Sequence, residues 1–543
     1  MEDKNTGYYE NYIERTFEEI GAFGKFQKFN MLLMIFVATL PSITIYATVF
    51  NLAEPTLKCH DIFKNESVSE ICNVWENVTK SKVDNKVTIH ACEFDGKFYG
   101  KTIFTDWNFY CNRKYLAGLT QTFYLVGTVC GIFSGYFGDR FGRKKNIFGF
   151  LAALALLLSS TQFLISGFLG VSIKVKYIIY CFSQLLIGLF CNCLYMTSYV
   201  LMIESTTHSY HTFFSNVHLS IYLLGELLVL IPSYFIRNWE INNWIVAGFT
   251  AISLIVVSFF LIESPRWLIS QKRFQEAELI FKRIATINGK SWEAKNFEMK
   301  IVNLEYSINE NLIKKLEKKN ENFGIKTMMK NICSPKVNCK KSTLFSCVWF
   351  SLNLVYYGFS LGVASIVSVN PYLMFIFSCL AEFLGYLVCM MNYKIGRRKA
   401  LIIYFLLTGF ICLVISFEQG NINRNLGNEQ KNVFNAVMII ILVSIGKCMA
   451  SAAFNTCYVF TAENYETNVR NFALLFVSCI GNIGGLVSPQ VNLSKGLSKP
   501  LPYLIFSLFS LFGSLAVFMM PKSENKSSNY LRSLSVETDE FRL

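Results

Sequence analysis

Charged residues are scarce in this sequence. Asp, Glu, Lys and Arg make up 16% of its 543 residues, while apolar residues make up 52%. A typical soluble domain carries about 25% charged residues. A soluble core of this size would need more polar surface to cover it. A large soluble enzyme is therefore not expected, and the composition favours a protein that crosses a membrane many times.

Motifs of nucleotide, metal and nucleic-acid chemistry are also lacking. The sequence has no GxxxxGKS/T loop, so ATP-driven pumping is not expected. Of its five histidines, His208, His211 and His218 cluster without the spacing of a metal site. The net charge of +14 does not indicate nucleic acid, since the basic residues lie in short loops beside apolar runs, without stacking aromatics among them. We therefore predict no enzymatic activity, no metal, no cofactor and no nucleic-acid partner.

Long apolar segments, in contrast, are abundant. A bilayer core requires about 20 residues of helix, and twelve segments meet that requirement. Their predicted bounds are 29–50, 115–137, 147–169, 177–203, 213–236, 243–262, 342–363, 371–391, 400–417, 433–460, 471–494 and 500–520. The first is predicted to remain as a span, because it is too long for a signal-peptide core. Polar sequence occupies 1–28, 51–114, 263–341 and 521–543.

Basic residues predict the orientation of the chain. They concentrate at 138–145, after the second apolar segment, and at 394–399, after the eighth. The positive-inside rule makes this side cytoplasmic, together with both termini and the segment 263–341. Within that segment, residues 270–287 carry apolar side chains at the spacing of one helix face, which predicts an amphipathic helix.

The segment 51–114 is then expected outside the cell. It contains four cysteines, Cys59, Cys72, Cys92 and Cys111, and two glycosylation acceptors, Asn65 and Asn77. An even number of cysteines in an oxidising compartment predicts two disulfides, and the three pairings stay open. These features favour the secretory route and a place in the plasma membrane.

The sequence repeats itself after six spans. Gly-Arg-Lys-Lys at 142–145 is matched by Gly-Arg-Arg-Lys at 396–399. Glu204 ends the fourth apolar segment, and Glu463 ends the tenth with Arg470 seven residues later. Internal duplication of this kind builds transporters whose solute site lies between two halves near the bilayer midplane.

These motifs resemble the major facilitator superfamily. Gly-Asp-Arg-Phe-Gly-Arg-Lys at 138–144 resembles the signature loop of that superfamily. Glu-Ser-Pro-Arg-Trp-Leu at 263–268, the stretch 452–471 and the long outer loop are similar to the organic cation, carnitine and anion transporter family. The resemblance implies an all-α membrane protein with two six-helix halves, 29–262 and 342–520, that moves a small organic solute by alternating access.

Several positions depart from the pattern of this family. Asn482 lies where cation carriers have Asp and anion carriers have Arg, and Asn192 lies where cation carriers tend to have Lys. Asn392 and His211 likewise replace an Asp and an Arg of the family. We expect an organic cation or a zwitterion such as carnitine as substrate, with an organic anion as the alternative. A non-transporting, receptor-like relative is the alternative from another class.

Ionisable residues inside the apolar segments are candidate site residues. A charge at the bilayer centre costs about 2.5–3.5 kcal/mol, so a charged residue there is expected to have a functional or structural role. Glu226 or Glu382 is predicted to face a cationic solute, and the alternative is an acid that is protonated or paired with Lys447. The resemblance places Glu382 and Lys447 at positions that are commonly charged in the family.

Aromatic residues are the second set of candidates, because a cation over a ring gains about 0.5–2 kcal/mol. The predicted lining consists of Tyr195, Trp349 and Tyr356, together with Asn482. Tyr357, next to Tyr356 on a helix, is expected to point elsewhere.

Charged residues of the loops are predicted to form a cytoplasmic gate. Asp139, Arg140 and Arg143 are expected to pair with helix ends of the opposite half when that side is closed, and to separate on opening. The alternative is a simple orienting role. The other gating candidates are Glu204, Glu263, Arg266, Arg397, Glu463 and Arg470. The lipid bilayer and a coupling ion, sodium or proton, complete the expected partners.

Overall fold

The computed structural model describes residues 12–55, 57–59, 92–94, 98–109, 113–131, 134–166, 170–292, 336–362, 370–389, 395–422, 429–465 and 467–520. For part of these ranges only the backbone is described. The described chain is almost entirely helical, and long helices follow one another with short connections. This pattern is what a bilayer demands, since a helix satisfies all of its backbone hydrogen bonds within itself.

The first six crossings form the N-terminal half. A helical stretch over 12–20 precedes them. The helices are α1 (Lys25–Ala38), α2 (Leu40–Asn51), α3 (Ile103–Asp106), α4 (Tyr115–Cys130), α5 (Ser134–Phe141), α6 (Arg143–Ile165), α7 (Ile173–Glu204), α8 (His211–Phe235) and α9 (Trp239–Phe260). The first crossing is interrupted between α1 and α2, because Pro41 lacks the backbone N–H that would continue the helix. α3 is a single turn outside the bundle.

Two short helices and six crossings follow. They are α10 (Pro265–Ser270), α11 (Phe274–Asn288), α12 (Lys336–Gly362), α13 (Pro371–Cys389), α14 (Arg397–Ile422), α15 (Glu429–Asn464), α16 (Thr467–Leu493) and α17 (Leu501–Phe518). We call α12–α17 the C-terminal half. Within the described residues, ten helical segments are long and apolar enough to cross a membrane. With the two crossings made by α4–α5 and by α16, the helices correspond to the twelve predicted segments.

The outer surface of the helices is apolar. Phe235 and Phe259 expose 77% and 75% of their surface, and many other large apolar side chains are exposed with them. In water such a surface would be unfavourable, whereas lipid tails are as apolar as these side chains. Hydrophobicity on all sides of a helix is therefore explained by the bilayer rather than by a protein core.

Glycines allow the same close helix contact in both halves. A Cβ atom at Gly188 of α7 would collide with the carbonyl oxygen of Tyr124 on α4. A Cβ atom at Gly484 of α16 would collide with the carbonyl oxygen of Phe350 on α12. Small residues let helix backbones approach in a membrane, where packing rather than a hydrophobic driving force holds helices together.

The halves meet along two helix pairs, α4 with α16 and α8 with α13. The Thr122 hydroxyl lies 3.4 Å from the Leu486 carbonyl oxygen and 3.4 Å from the Gln490 amide nitrogen across the first pair. We call the end of the bundle with Arg143 and Glu204 the inner end, since it carries the basic loop expected in the cytoplasm. The opposite end is the outer end.

A small cap covers the inner end of the N-terminal half. α11 buries Phe274, Ala277, Phe281 and Ile284, which confirms the predicted amphipathic helix. Its buried face packs on the helical stretch 12–20, where the rings of Phe17 and Phe281 lie 5.3 Å apart. The cap therefore consists of both the N-terminal segment and the segment between the halves.

The outer segment adds a feature that helix counting does not predict. β1 (Leu57–Cys59) and β2 (Cys92–Phe94) form an antiparallel pair whose register places Cys59 opposite Cys92. Cys72, Cys111, Asn65 and Asn77 lie outside the described residues. The predicted disulfides and glycosylation therefore stay predictions. The backbone positions of Cys59 and Cys92 are adjacent in the strand pair.

Candidate functional site

The centre of the C-terminal half contains a buried ion pair. The Lys447 ammonium on α15 lies 2.8 Å from a carboxylate oxygen of Glu382 on α13, and these side chains are 1% and 0% exposed. The hydroxyls of Tyr356 and Tyr386 each donate a 2.6 Å hydrogen bond to the other carboxylate oxygen. Lys447 also donates to the Ser360 hydroxyl. Both charges are therefore fully enclosed by polar partners.

Helical spacing explains how three helices, α12, α13 and α15, supply all the side chains around this ion pair. Tyr356 and Ser360 lie four residues apart on α12, so they project from one helix face. Lys447 contacts both, and its ammonium lies 3.7 Å from the centre of the Tyr356 ring. Glu382 and Tyr386 have the same spacing on α13 and form a hydrogen bond within that helix. A carboxylate, a ring and a hydroxyl together form a cation site that a lysine of the protein occupies.

Glu226 is the second buried acid, and its surroundings differ. It lies on α8 of the N-terminal half and is 2% exposed. One carboxylate oxygen accepts a 3.5 Å hydrogen bond from the Cys379 thiol of α13. In the described part of the chain the other oxygen has no hydrogen-bond partner. This carboxyl interacts electrostatically with both Glu382 and Lys447. Two buried acids from opposite halves therefore both interact electrostatically with the same ammonium.

Aromatic side chains from both halves surround these groups. The Tyr195 ring lies 4.5 Å from the His218 ring and 5.6 Å from the Tyr222 ring. Tyr195 interacts electrostatically with Tyr357 and with Glu382 across the interface between the halves. The Tyr357 ring lies against Gly485 of α16, and its centre is 5.5 Å from that of the Tyr356 ring. Whether the two rings face one cavity stays a prediction.

Two other predicted lining residues have different positions. Trp349 is buried inside the C-terminal half, where its indole N–H donates a 3.0 Å hydrogen bond to the Thr461 hydroxyl. Its ring lies 4.6 Å from Tyr458, a neighbour of the central cluster. Asn482 lies half-buried on α16. Contact of Trp349 or Asn482 with a substrate stays a prediction.

The inner end of the N-terminal half carries an ordered charge network. The Arg143 guanidinium donates two hydrogen bonds, of 3.0 and 2.9 Å, to the Glu204 carboxylate at the end of α7. The Glu263 carboxylate accepts from the backbone N–H groups of Arg143 and Lys144 at 2.9 and 3.1 Å. These contacts cover the first turn of α6, where backbone N–H groups attract an anion.

Arg266 extends this network to the cap. Its guanidinium donates to the carbonyl oxygens of Glu204 and Thr206 at 3.2 and 2.8 Å, and it pairs with Glu14. In the C-terminal half the Lys341 ammonium donates to the carbonyl oxygen of Asn464, at the end of α15. Each half thus places a basic side chain at the end of its fourth crossing, α7 or α15, where carbonyl oxygens lack helical partners.

The predicted pairing of the loop charges with the opposite half stays a prediction. In this conformation Arg143 pairs with Glu204 of its own half. The reason is local, because α6 begins beside the end of α7. Arg140 is exposed over the ring of Phe141, and Arg397 is half-buried at the start of α14. The side chains of Asp139, Glu463 and Arg470 lie outside what the structure describes.

Tyr372, at the start of α13, bridges the two halves at the outer end. Its ring stacks on Phe50 of α2 at 5.4 Å, and its single O–H is shared between the carbonyl oxygens of Ser233 and Phe98, at 2.9 and 3.1 Å. The cavity beside this ring measures about 20 Å³, room for about one water molecule.

A salt-bridged lysine lines the same cavity as Tyr372. The Lys101 ammonium is 3.1 Å from Asp106 and 3.2 Å from Glu240. Partial burial lowers the pKa of Lys101, and the two carboxylates more than offset this, so the pKa lies above its ordinary value. The lysine therefore stays charged and holds α9 against the outer segment.

Comparison with known proteins identifies the type of protein that carries this site. The family profile described as sugar (and other) transporter matches residues 66–527. The chain belongs to this family. The organic cation transporter protein of Drosophila melanogaster is 25% identical to this transporter over 541 residues, covering 93% of this chain and 91% of the relative. The organic cation/carnitine transporter 2 of Homo sapiens is 26% identical over 458 residues, covering 82% and 74%.

Solved structures agree on the fold of this transporter. The inward-open xylose transporter XylE from E. coli superposes with a TM-score of 0.59 at 14% identity, covering 93% of this chain and 99% of that chain. The solute carrier family 22 member 6-B of Xenopus laevis is a further relative, 25% identical over 82% of this chain and 76% of its own length. The predicted twelve-helix major facilitator fold and the resemblance to the organic cation, carnitine and anion branch are confirmed. The protein is a multi-pass membrane transporter of small organic solutes and not an enzyme.

Proposed function

We propose that this transporter moves a small organic cation, or a zwitterion of the carnitine type, across the plasma membrane by alternating access. The observation that carries the proposal is the charge balance at the centre of the fold. Two buried acids, Glu226 and Glu382, interact with one ammonium, that of Lys447, among the described residues. The ion pair of Lys447 is with Glu382, and the faces of Tyr356 and Tyr195 add the attraction of a ring for a cation.

The same group explains why a zwitterion fits as well as a cation. The ammonium of a zwitterion would face Glu382 and the ring of Tyr356, while its carboxylate would face Lys447. The organic-anion alternative has less support, because Lys447 already neutralises Glu382 at 2.8 Å. Two relatives, an organic cation transporter and an organic cation/carnitine transporter, support the same substrate class.

In this proposal the two ends of the bundle open alternately. Tyr372 bridges the halves at the outer end, and the network of Arg143, Glu204, Glu263 and Arg266 organises the inner end. Alternating access requires that at least one set of contacts breaks in each half-cycle. Either sodium or a proton could drive the movement, and the uptake experiment below distinguishes them.

Uptake into expressing cells tests the proposal. Tetraethylammonium, carnitine and an organic anion would each be offered in labelled form, with and without sodium and at two external pH values. Glu382→Gln removes the charge that faces the cation, and the surface variant Glu276→Gln is the matched control. We expect saturable uptake of the cation or of carnitine, lost in the first variant and kept in the second, at equal surface expression.

Other outcomes of this experiment would contradict parts of the proposal. Uptake of the anion alone would contradict the proposed substrate class and move attention to Lys447. Absence of any uptake, with the protein confirmed at the surface, would contradict the proposed substrates and favour both an unprobed solute and the receptor-like alternative. Full uptake by Glu382→Gln would contradict the role of that acid while leaving transport itself established.

We also propose that Cys59 and Cys92 form a disulfide and that Asn65 and Asn77 carry glycans. Directly opposed residues of an antiparallel pair have Cα atoms about 4.5–5.5 Å apart, a separation that suits a disulfide. The register of β1 and β2 gives Cys59 and Cys92 that relationship. Peptide mapping without reduction should recover a linked pair containing these two cysteines. Recovery of Cys59 linked to Cys72 or Cys111 would contradict the pairing.

A further inference from the structure

The central cation site is occupied, and its occupant is part of the chain. Lys447 has a carboxylate oxygen at 2.8 Å, an aromatic ring at 3.7 Å and the Ser360 hydroxyl as neighbours. These are the groups that recognise an external ammonium ion. A substrate cation that binds Glu382 and Tyr356 must therefore compete with Lys447 for the same contacts.

We propose that Lys447 is an internal substitute for the substrate, which neutralises Glu382 when the transporter is empty and moves to Glu226 when an organic cation binds. The inference rests on the proposed function and adds the step that exchanges one cation for the other. No bond is made or broken in this step, because only the partner of the Lys447 ammonium changes.

Glu226 has the properties that the second position requires. It is buried, it accepts a 3.5 Å hydrogen bond from Cys379 on α13, the helix that carries Glu382, and it interacts electrostatically with Lys447. One of its carboxylate oxygens lacks a hydrogen-bond partner within the described residues. It also lies on α8 of the opposite half. Movement of Lys447 from Glu382 to Glu226 would consequently transfer an ion pair from within the C-terminal half to the interface between the halves.

Charge neutrality explains why a transporter would contain such a lysine. A buried carboxylate without a counter-ion is strongly unfavourable, so a carrier with an empty anionic site resists passing through an occluded state. With Lys447 paired to Glu382, the empty carrier is neutral at that acid and can reorient. Net transport in one direction requires this empty return, whereas exchange of one substrate for another does not.

Separate measurement of exchange and net uptake tests the inference. Purified transporter in liposomes would be assayed with labelled tetraethylammonium, either with unlabelled tetraethylammonium inside or with none. We expect Lys447→Met to retain exchange and to lose at least about 90% of net uptake. If Lys447 occupies the site about 90% of the time in the wild type, its removal should lower the half-saturating concentration in exchange about tenfold.

Lys447→Met could fail to transport at all. A second variant, Lys447→Arg, and a direct binding assay would then still test the inference. A guanidinium remains charged and should preserve net uptake. Thermal stabilisation of the purified protein by tetraethylammonium should occur at lower concentration in Lys447→Met than in wild type. Equal or weaker binding by Lys447→Met, or net uptake that equals its exchange, would overturn the inference while leaving cation transport intact.

Glu226→Gln supplies a second, independent test. A simple cation leaves the displaced Lys447 dependent on Glu226, whereas the carboxylate of carnitine can itself pair with that ammonium. Glu226→Gln should therefore reduce tetraethylammonium uptake at least about fivefold more than carnitine uptake, with Glu276→Gln as the control. Equal losses for the two probes would contradict the proposed movement. Failure of the wild type to move either probe would instead defeat the proposed function itself.

Discussion

The Lys447 ammonium lies 3.7 Å from the centre of the Tyr356 ring, and both side chains are buried at the middle of the fold. A lysine and a tyrosine from different helices thus form the contact that a transporter of organic cations would offer its substrate. The arrangement links stability to transport, because any change to this pair also changes the environment of Glu382.

Removal of Lys447 alone should destabilise the protein strongly. Lys447→Met leaves Glu382 as a buried carboxylate without its counter-ion, and breaking a buried pair costs about 3–5 kcal/mol. The double variant Lys447→Met, Glu382→Met should regain most of this loss, since two apolar side chains of similar volume can replace a buried pair. Thermal unfolding in detergent would measure both. A double variant less stable than the single one would contradict this account.

Loss of the Arg143–Glu204 pair should slow transport more than it weakens substrate binding. Glu204→Gln removes one charge of a largely buried pair at the inner end, far from the central site. We expect the maximal uptake rate to fall roughly 3- to 10-fold, equivalent to about 0.7–1.4 kcal/mol in the barrier, with little change in KM. Initial rates over a range of substrate concentrations would separate the two, with Glu276→Gln as control. A raised KM at unchanged maximal rate would point to a role in binding.

Weakening the Tyr372 bridge should expose the centre from the outside. Tyr372→Phe keeps the ring on Phe50 but removes the O–H that two carbonyl oxygens share, a hydrogen bond that contributes about 0.5–1.5 kcal/mol. The outer end should open more often, so a membrane-impermeant thiol reagent should label the buried Cys379 at least about fivefold faster. Mass spectrometry of the labelled peptide measures this rate. Tyr115→Phe, on an exposed tyrosine at the same end, should leave it unchanged.

Asn288 should hold the cap to the first span. Its side-chain oxygen accepts a 2.8 Å hydrogen bond from the Phe26 N–H, and its amide donates at 2.9 Å to the Ile20 carbonyl oxygen. Asn288→Ala leaves these backbone groups without partners and should cost about 1–3 kcal/mol. Faster amide hydrogen exchange over residues 12–26 would report the loss. Thr286→Ala on the exposed side of α11 is the control, and equal protection in both variants would argue against the clamp.

Sequence patterns predicted the helices well, since crossing a bilayer is largely a local requirement. Twenty apolar residues in a row span a membrane wherever they occur in the chain, and the basic loops beside them indicate a side. The amphipathic spacing from Phe274 onward likewise predicted α11. The first crossing was predicted without the interruption at Pro41, because hydropathy is insensitive to one missing N–H.

The candidate site was only partly visible in the sequence. Glu226, Glu382 and Lys447 could be selected because charges inside apolar segments are costly. Tyr386 and Ser360 were missed, although their spacing of four residues from Glu382 and Tyr356 was a usable signal. Tyr372 gave no such signal, because an aromatic residue at the start of a span is common in a chain with 27 tyrosines.

The amino-acid sequence by itself determined that this chain crosses a membrane twelve times, which family it resembles and which three charges lie inside the membrane. Those properties depend on residue type and local order. The tertiary structure decided that Lys447 pairs with Glu382 while an oxygen of Glu226 has no hydrogen-bond partner among the described residues, and that Arg143 pairs within its own half. Partner choice among buried charges depends on which helices meet and at what height, and this is set by packing across the whole bundle rather than by any segment of it.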